Sequence, residues 1–297
     1  MPIGWIEKYF LGAALLCLLA GACLGQQAAP SAQPPGPPAA GARILLLPRK
    51  LVSGERATLA VLDLGGRLTP GVTVNFSNGD TLTTDASGRA LFVAPLTTGT
   101  IYASIEGRAG RVSSTVVSPA ESPTSSMEVE LSPRVVSLSD RLEVSGHGFC
   151  GEADSNRVMM GGLPGLVIAA SPASLSMVPS PEQAPGPASV DITCGQKKVL
   201  PFTVVFVNLE LEANNAPLAP GERRDVVVRI KGSTAKLRLE ARNLAPDVAE
   251  LQGGGKTQRV MSTAGAENVA KFELIGKTKG SFVISIRLVA VPEMPQR

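Results

Sequence analysis

The amino-acid sequence predicts an all-β protein made of tandem β-sandwich domains that follow a signal peptide and a Pro-rich linker. Apolar and polar residues alternate with period two in many short segments, and clusters of Gly, Pro, Asn and Asp separate those segments. Short strands with turns every ~8–12 residues are typical of sandwiches and barrels. No run shows helical periodicity beyond a turn at 247–251. The chain of 297 residues has room for about two or three domains.

Residues 1–22 have the pattern of a cleaved export signal. Lys8 precedes the apolar run 10–19, and Ala20-Gly21-Ala22 is a small-x-small cleavage pattern. The run is shorter than the roughly 20 residues that span a bilayer. We therefore expect an exported protein, located at the cell surface or outer membrane, in the periplasm or outside the cell.

Cys23 directly follows the cleavage pattern and resembles the acylated cysteine of a lipoprotein signal, although Ala20 stands where such signals prefer Leu. Two outcomes stay open: attachment to a membrane through lipidated Cys23, or plain cleavage by the general signal peptidase. Residues 23–42 are rich in Pro and Ala and lack bulky apolar side chains. Such a segment predicts an extended, disordered linker.

The first domain is predicted over residues 43–118. Its motifs are Ser-Gly-Glu at 53–55, Pro-Gly-Val-Thr-Val-Asn-Phe at 70–76 and Thr-Asp-Ala-Ser-Gly-Arg-Ala at 84–90. These motifs resemble the bacterial immunoglobulin-like domains of invasin- and intimin-type surface proteins. The resemblance implies a sandwich whose matching residues are turn and core positions and carry no chemistry.

A second domain is predicted over 127–207, after a short linker at 119–126. Ser132-Pro133 and then Leu-Glu-Val-Ser-Gly-His-Gly-Phe at 142–149 resemble the start of an IPT/TIG domain. The third domain, 208–297, is similar to generic Ig-like domains over about 208–292, and that match is weaker. Residues 206–211 contain neither Pro nor Gly, which predicts a stiff connection between these two domains.

Cysteine usage agrees with export. Cys17 and Cys23 lie in or beside the signal, which leaves Cys150 and Cys194 as an even pair. In an oxidising compartment they can form a disulfide, and the chain-entropy relation gives such a loop roughly 4 kcal/mol of stabilisation. The alternative is a pair of buried free thiols.

Candidates for catalysis and metal binding are few. His147 is the one histidine, so a Ser-His or Cys-His centre would have to use it, and it lies inside the Gly-x-Gly-Phe motif. Glu152, Asp154 and Asn156 have the spacing that begins a calcium loop, but calcium takes six to eight oxygens and no bidentate partner is identifiable, which favours a solvated loop. We expect no catalytic residue, no metal site and no cofactor.

A basic stripe is the remaining candidate site. Lys236, Arg238 and Arg242 are expected on one strand face, interrupted by Glu240, with Arg229 and Lys231 beside them. Such a stripe can contact an anionic polymer or surface, whereas ordinary polar-out alternation explains it without a ligand. The net charge of +3 is too weak to predict nucleic-acid binding.

The function most consistent with these features is that of a non-enzymatic, exported cell-surface or periplasmic structural and interaction protein. Its partner is an unidentified protein or envelope polymer. The alternative is a module that binds an anionic glycan or envelope polymer through the basic face of the third domain. Tyr102 is the one Tyr or Trp beyond the signal region, which disfavours a module that stacks sugars on aromatic rings. A hydrolase is a third hypothesis, for which no carboxylates can be paired from the sequence.

Overall fold

The computed structural model describes residues 43–119, 126–212, 216–253, 255–289 and 291–295. The signal peptide, Cys23, the linker at 23–42 and residues 120–125 of the second linker lie outside the described residues, so those expectations stay predictions. Strands dominate the part that is described, which contains no α-helix. The prediction of an all-β fold is confirmed.

The first sandwich encloses a core that includes the fully buried side chains of Leu51, Leu59 and Val74. Strand β3 lies between β1 and β6, and a second sheet has the order β2-β8-β7-β4-β5, in which β2 is parallel to β8. Its strands are β1 (Arg43–Leu46), β2 (Lys50–Val52), β3 (Arg56–Asp63), β4 (Thr73–Phe76), β5 (Thr81–Thr83), β6 (Arg89–Val93), β7 (Gly99–Ile105) and β8 (Arg111–Val117).

The second sandwich is closed by a strand that changes sheets. β13 pairs with β12 up to Gly165 and with β14 from Leu166 onward. β14, β11 and β9 continue one sheet, and β12, β15, β17 and β10 form the other. Its strands are β9 (Glu128–Pro133), β10 (Val135–Ser137), β11 (Leu142–His147), β12 (Asn156–Met160), β13 (Leu163–Ser171), β14 (Ser174–Val178), β15 (Gly186–Cys194), β16 (Lys197–Lys198) and β17 (Phe202–Leu211).

The third sandwich packs two sheets around Leu239, Phe272 and their apolar neighbours. One sheet has the order β20-β22-β18-β17 and the other β21-β19-β23. Its own strands are β18 (Arg223–Lys231), β19 (Arg238–Asn243), β20 (Ala249–Leu251), β21 (Thr257–Met261), β22 (Val269–Gly276), β23 (Ile284–Leu288) and β24 (Pro292–Glu293).

One continuous strand joins the second and third sandwiches. β17 pairs with β15 through Phe206 and then with β18 from Asn208 onward. β24 returns to the second sandwich and pairs with β9, where the Arg134 Nε and a Glu293 carboxylate oxygen lie 2.6 Å apart. Because hydrogen bonds hold the connecting residues on both sides of the boundary, the connection has no free hinge in these residues.

The first and second sandwiches are joined through β3 and β13, by backbone pairing of Thr58 with Ala170 and by packing on the outward face of β3. Alternation in residues 57–62 predicts one buried face of β3, yet all six of these residues are buried. The second face carries Ala60 and Leu62, which pack against Ile168 and Ala169 of β13. This face is covered by a neighbouring domain rather than by solvent, which a period-two pattern cannot reveal.

Gly151 stands where the second sandwich touches the backbone of β3. A Cβ on Gly151 would lie 1.9 Å from the carbonyl oxygen of Arg56, a distance that real contacts do not reach. The Thr58 hydroxyl donates to the Gly151 carbonyl (2.8 Å) and accepts from the Ala153 N–H (3.1 Å). Glycine is therefore required here by the close approach of two backbones.

We expect Gly151→Ala to lower the free energy of unfolding by about 1–3 kcal/mol, because the loop must move away from β3 to admit a methyl group. Urea denaturation measures this. Gly110→Ala is the matched control, since a Cβ there meets nothing within 4 Å, and its effect should stay within about 0.5 kcal/mol. Equal effects of the two substitutions would contradict the assigned role of Gly151.

Candidate interaction site

The basic residues expected on one stripe lie on two different sheets of the third sandwich. Arg229 and Lys231 are on β18, whereas Arg238 and Arg242 are on β19. β18 belongs to the sheet β20-β22-β18-β17 and β19 to the sheet β21-β19-β23, so the two strands lie in opposite sheets of the sandwich. The expectation that Arg229 and Lys231 lie beside the others is therefore wrong.

Carboxylates neutralise the two cations of β18 that belong to the predicted stripe. Arg229 Nε lies 2.5 Å from Glu212 Oε1, and its Nη1 lies 3.2 Å from Glu267 Oε2. Lys231 Nζ lies 2.7 Å from Glu210 Oε1. Since each of these two cations already has an anionic partner, neither offers free positive charge to a ligand.

The three other predicted cations differ in this respect. Arg238 and Arg242 are exposed on β19, and Lys236 precedes that strand. Within the described residues none of the three forms an ion pair, so their charges are available. Lys236 and Arg238 also line a cleft of about 280 Å³ together with Arg134 and Met261.

Glu240 lies between Arg238 and Arg242 on the same face of β19 and forms the centre of a cluster. Arg259 of β21 and Arg287 of β23 stand directly opposite it on the two neighbouring strands. Arg259 Nε donates to Glu240 Oε2 at 2.6 Å, and Arg287 Nε and Nη2 donate to Oε1 at 3.0 and 2.5 Å. We call these five residues the arginine face.

The arginine face combines a covered carboxylate with open guanidinium groups. The Glu240 side chain is 6% exposed, whereas those of Arg259 and Arg287 are 66% and 65% exposed. Hydrogen bonds from Arg259 and then from Arg287 lower the pKa of Glu240 below its ordinary value of 4.5. The carboxylate is therefore ionised at neutral pH and holds both arginines in place.

Sequence reasoning did not single out Arg259 and Arg287. Each lies in an alternating segment, at 257–261 and 284–288, and that alternation does predict an outward side chain. Their convergence on Glu240 depends on the strand order β21-β19-β23 and its register, which are tertiary facts.

The disulfide predicted between Cys150 and Cys194 is present. It ties the segment after β11 to the end of β15, next to Asn156. The Asn156 side chain accepts from the Cys150 N–H (2.9 Å) and donates to the carbonyls of Cys150 (2.8 Å) and Glu152 (2.9 Å). Residues 150–156 are therefore a fixed loop, which we call the docking loop.

Two members of the suggested calcium loop contact the first sandwich instead. Glu152 Oε1 lies 2.6 Å from Arg56 Nη1, and Asp154 Oδ1 lies 2.6 Å from Arg89 Nη1. Arg89 is buried and also donates to the Val167 carbonyl at 2.8 Å. The acidic residues of the docking loop thus serve the contact between sandwiches.

His147 is the last residue of β11 and is buried. Its Nε2 is 3.1 Å from Ser126 Oγ, and its Nδ1 is 3.2 Å from Glu130 Oε1. The flanking glycines permit this close pairing: a Cβ on Gly146 would lie 1.9 Å from the Glu128 carbonyl oxygen, and one on Gly148 would lie 2.1 Å from that of Ser126. The histidine links β11 to the start of the second sandwich.

Across the residues described, no group of three or more His, Cys, Asp or Glu side chains is placed to hold a metal ion. No helix within these same residues is long and apolar enough to cross a membrane.

Comparisons with known proteins add the following. No protein-family model and no curated protein matches the chain. Among solved structures, it is similar to Bacteroides ovatus SGBP-B of the mixed-linkage glucan utilization locus, in complex with a mixed-linkage heptasaccharide (13% identity, 82% of this chain, 72% of that chain, TM-score 0.29). It is also similar to domains 4 and 5 of the S-layer protein SbsC (21% identity, 37% of this chain, 65% of that chain, TM-score 0.21). A third similar structure is a D1–D4 ectodomain fragment of ICAM-5 (15% identity, 85% of this chain, 76% of that chain, TM-score 0.20).

The fold class of these residues is that of tandem immunoglobulin-like β-sandwiches, and the paired sheets and their cores show it directly. The resemblances to IPT/TIG and invasin-type domains stay predictions.

The Glu240 carboxylate predicts a pH dependence of the third sandwich. A carboxyl whose pKa is lowered in the folded state contributes stability above its unfolded pKa, here near 4.5, and that stability is lost as the pH falls through the folded pKa. We expect Glu240→Gln to lower the urea midpoint at about pH 7 and to have a smaller effect near about pH 3. Glu182→Gln, at an exposed position of the second sandwich, is the control. A loss that does not change with pH would contradict this role of Glu240.

Proposed function

We propose that this chain is a non-enzymatic, exported structural and interaction protein of the cell surface, outer membrane, periplasm or extracellular space. Its sandwiches act as rigidly connected modules that present surfaces to an unidentified protein or envelope polymer. Attachment to a membrane through lipidated Cys23 belongs to the same proposal. The export-signal pattern of residues 1–22 supports the location.

The observation that carries the structural role is the way in which the sandwiches are joined. A single strand, β17, supplies residues to two cores: Phe206 lies in the core of the second sandwich and Val207 in that of the third. On the other side, the docking loop and β13 are packed on β3. A chain built only to tether independent modules would join them through flexible residues that make few contacts.

The test is whether the sandwiches tumble as one body in solution. We expect ¹⁵N relaxation of the protein to give one rotational correlation time for all three sandwiches. Inserting Gly-Gly-Ser-Gly between Val207 and Asn208 should replace this value by two shorter ones, with the third sandwich tumbling faster than the joined first and second. The double variant Cys150→Ser, Cys194→Ser should loosen the first sandwich instead, because the docking loop loses its anchor. A shorter correlation time of the third sandwich in the unmodified protein would overturn the proposal.

A second candidate function is binding of an anionic glycan or envelope polymer through the third sandwich. In the part of the chain that the structure describes, Lys236, Arg238 and Arg242 have no anionic partner, which favours this candidate, and the neutralised Arg229 and Lys231 take no part. Retention of the protein on a carboxylate resin should fall with salt and with Arg238→Glu, since screening and charge reversal both weaken the attraction. Retention that is unchanged by salt and by this substitution would count against the candidate.

A further inference from the structure

We infer that the arginine face binds one class of partner, a linear polysaccharide that bears repeated carboxylates and lies across β19. This inference rests on the second candidate function and specifies the ligand, the contact residues and the way in which they act. It adds Arg259 and Arg287 to Arg238 and Arg242 as ligand contacts, and it makes Glu240 a positioning residue.

The first support is charge. The arginine face has four guanidinium groups and one carboxylate, hence a net charge of +3, and Lys236 lies at one end of it. Asp140, whose pKa is raised by burial, is a further carboxylate whose field reaches Arg287. The remaining outward positions on the three strands are the uncharged Thr257, Met261 and Ser285. The free charge of the third sandwich is thus positive on this sheet.

The second support is preorganisation. Glu240 accepts hydrogen bonds from Nε of Arg259 and from Nε and Nη2 of Arg287, and among the described residues these bonds leave the Nη groups of Arg259 and Nη1 of Arg287 unused. Because these side chains are already ordered, a ligand that binds them loses less side-chain entropy. The same contacts show that both guanidinium groups already bind one carboxylate on this face.

The third support is spacing. Arg238 and Arg242 are four residues apart along an extended strand, which corresponds to about 14 Å. Arg259 and Arg287 flank the central strand, so their backbones are separated by two strand spacings, or about 10 Å. A monosaccharide cannot reach all four groups, whereas a polymer engages several of them at once and gains affinity from each additional contact.

The probe for this inference is polygalacturonate, tested on the full chain by isothermal titration calorimetry at several salt concentrations. We expect saturable binding that weakens with salt, with much weaker binding of galacturonic acid and none of neutral dextran. Arg238→Glu and Arg242→Glu should each weaken binding about tenfold, as expected for the loss of one charge-assisted contact. Lys271→Glu is the matched control, because it makes the same charge change on the exposed side of β22, in the opposite sheet, and should leave the affinity unchanged.

Two further variants test the arrangement. Arg259→Lys keeps the charge but removes the planar fork, so it should weaken binding several-fold if geometry matters and leave it unchanged if only net charge does. Glu240→Gln should weaken binding although it raises the net positive charge, since both forks lose their common anchor. An unchanged affinity of both variants would overturn the inference.

The other outcomes are equally decisive. Equal affinity for the monomer and the polymer, equal losses in Lys271→Glu and Arg238→Glu, or tighter binding of single-stranded DNA than of polygalacturonate would each overturn it. If the monomer and the polymer bound equally well, retention on the carboxylate resin would persist. Failure of the polymer inference can therefore be distinguished from failure of the second candidate function. The ¹⁵N relaxation test of the joined sandwiches is independent of all of them.

Discussion

Strand β17 is the element on which the arrangement of the second and third sandwiches depends. Its backbone groups pair with β15 on one side of the boundary and with β18 on the other, and Phe206 and Val207 enter different cores. A hinge at this point would leave buried N–H and C=O groups without partners, which costs about 1–3 kcal/mol for each group. The pairing of β24 with β9 adds a second connection across the same boundary.

The first and second sandwiches are also held together closely, but by packed surfaces and not by a shared strand. Here no strand is shared along the chain, and contact requires two surfaces without protruding side chains. Ala60 and Ala169 allow the sheets to approach, and Gly151 allows the docking loop to reach the carbonyl of Arg56. The disulfide and Asn156 fix the loop from behind, so Glu152 and Asp154 can meet their arginines without first having to be ordered.

Much of the fold follows from the sequence, and less of the candidate site does. Period-two alternation predicts β18 and β19 and correctly orients Val228 inward and Arg238 outward. It fails at β3, because burial of both faces needs a neighbouring domain. It also fails to show that Arg229 is neutralised and that Arg287 reaches Glu240, since pairing and register are long-range properties. The disulfide could be predicted because Cys150 and Cys194 are the two cysteines that lie neither in nor beside the signal.

The two sheets of the third sandwich show why a count of cations does not identify a binding surface. Arg229 and Lys231 of β18 form ion pairs with Glu212, Glu267 and Glu210, so both positive charges are already balanced. On β19 one carboxylate serves two arginines and leaves the flanking pair without a partner in the described residues. The same Glu240 that interrupts the basic stripe in the sequence thus orders its neighbours in space. Glu240 makes the stripe less basic along the sequence, but its hydrogen bonds position Arg259 and Arg287 on the arginine face.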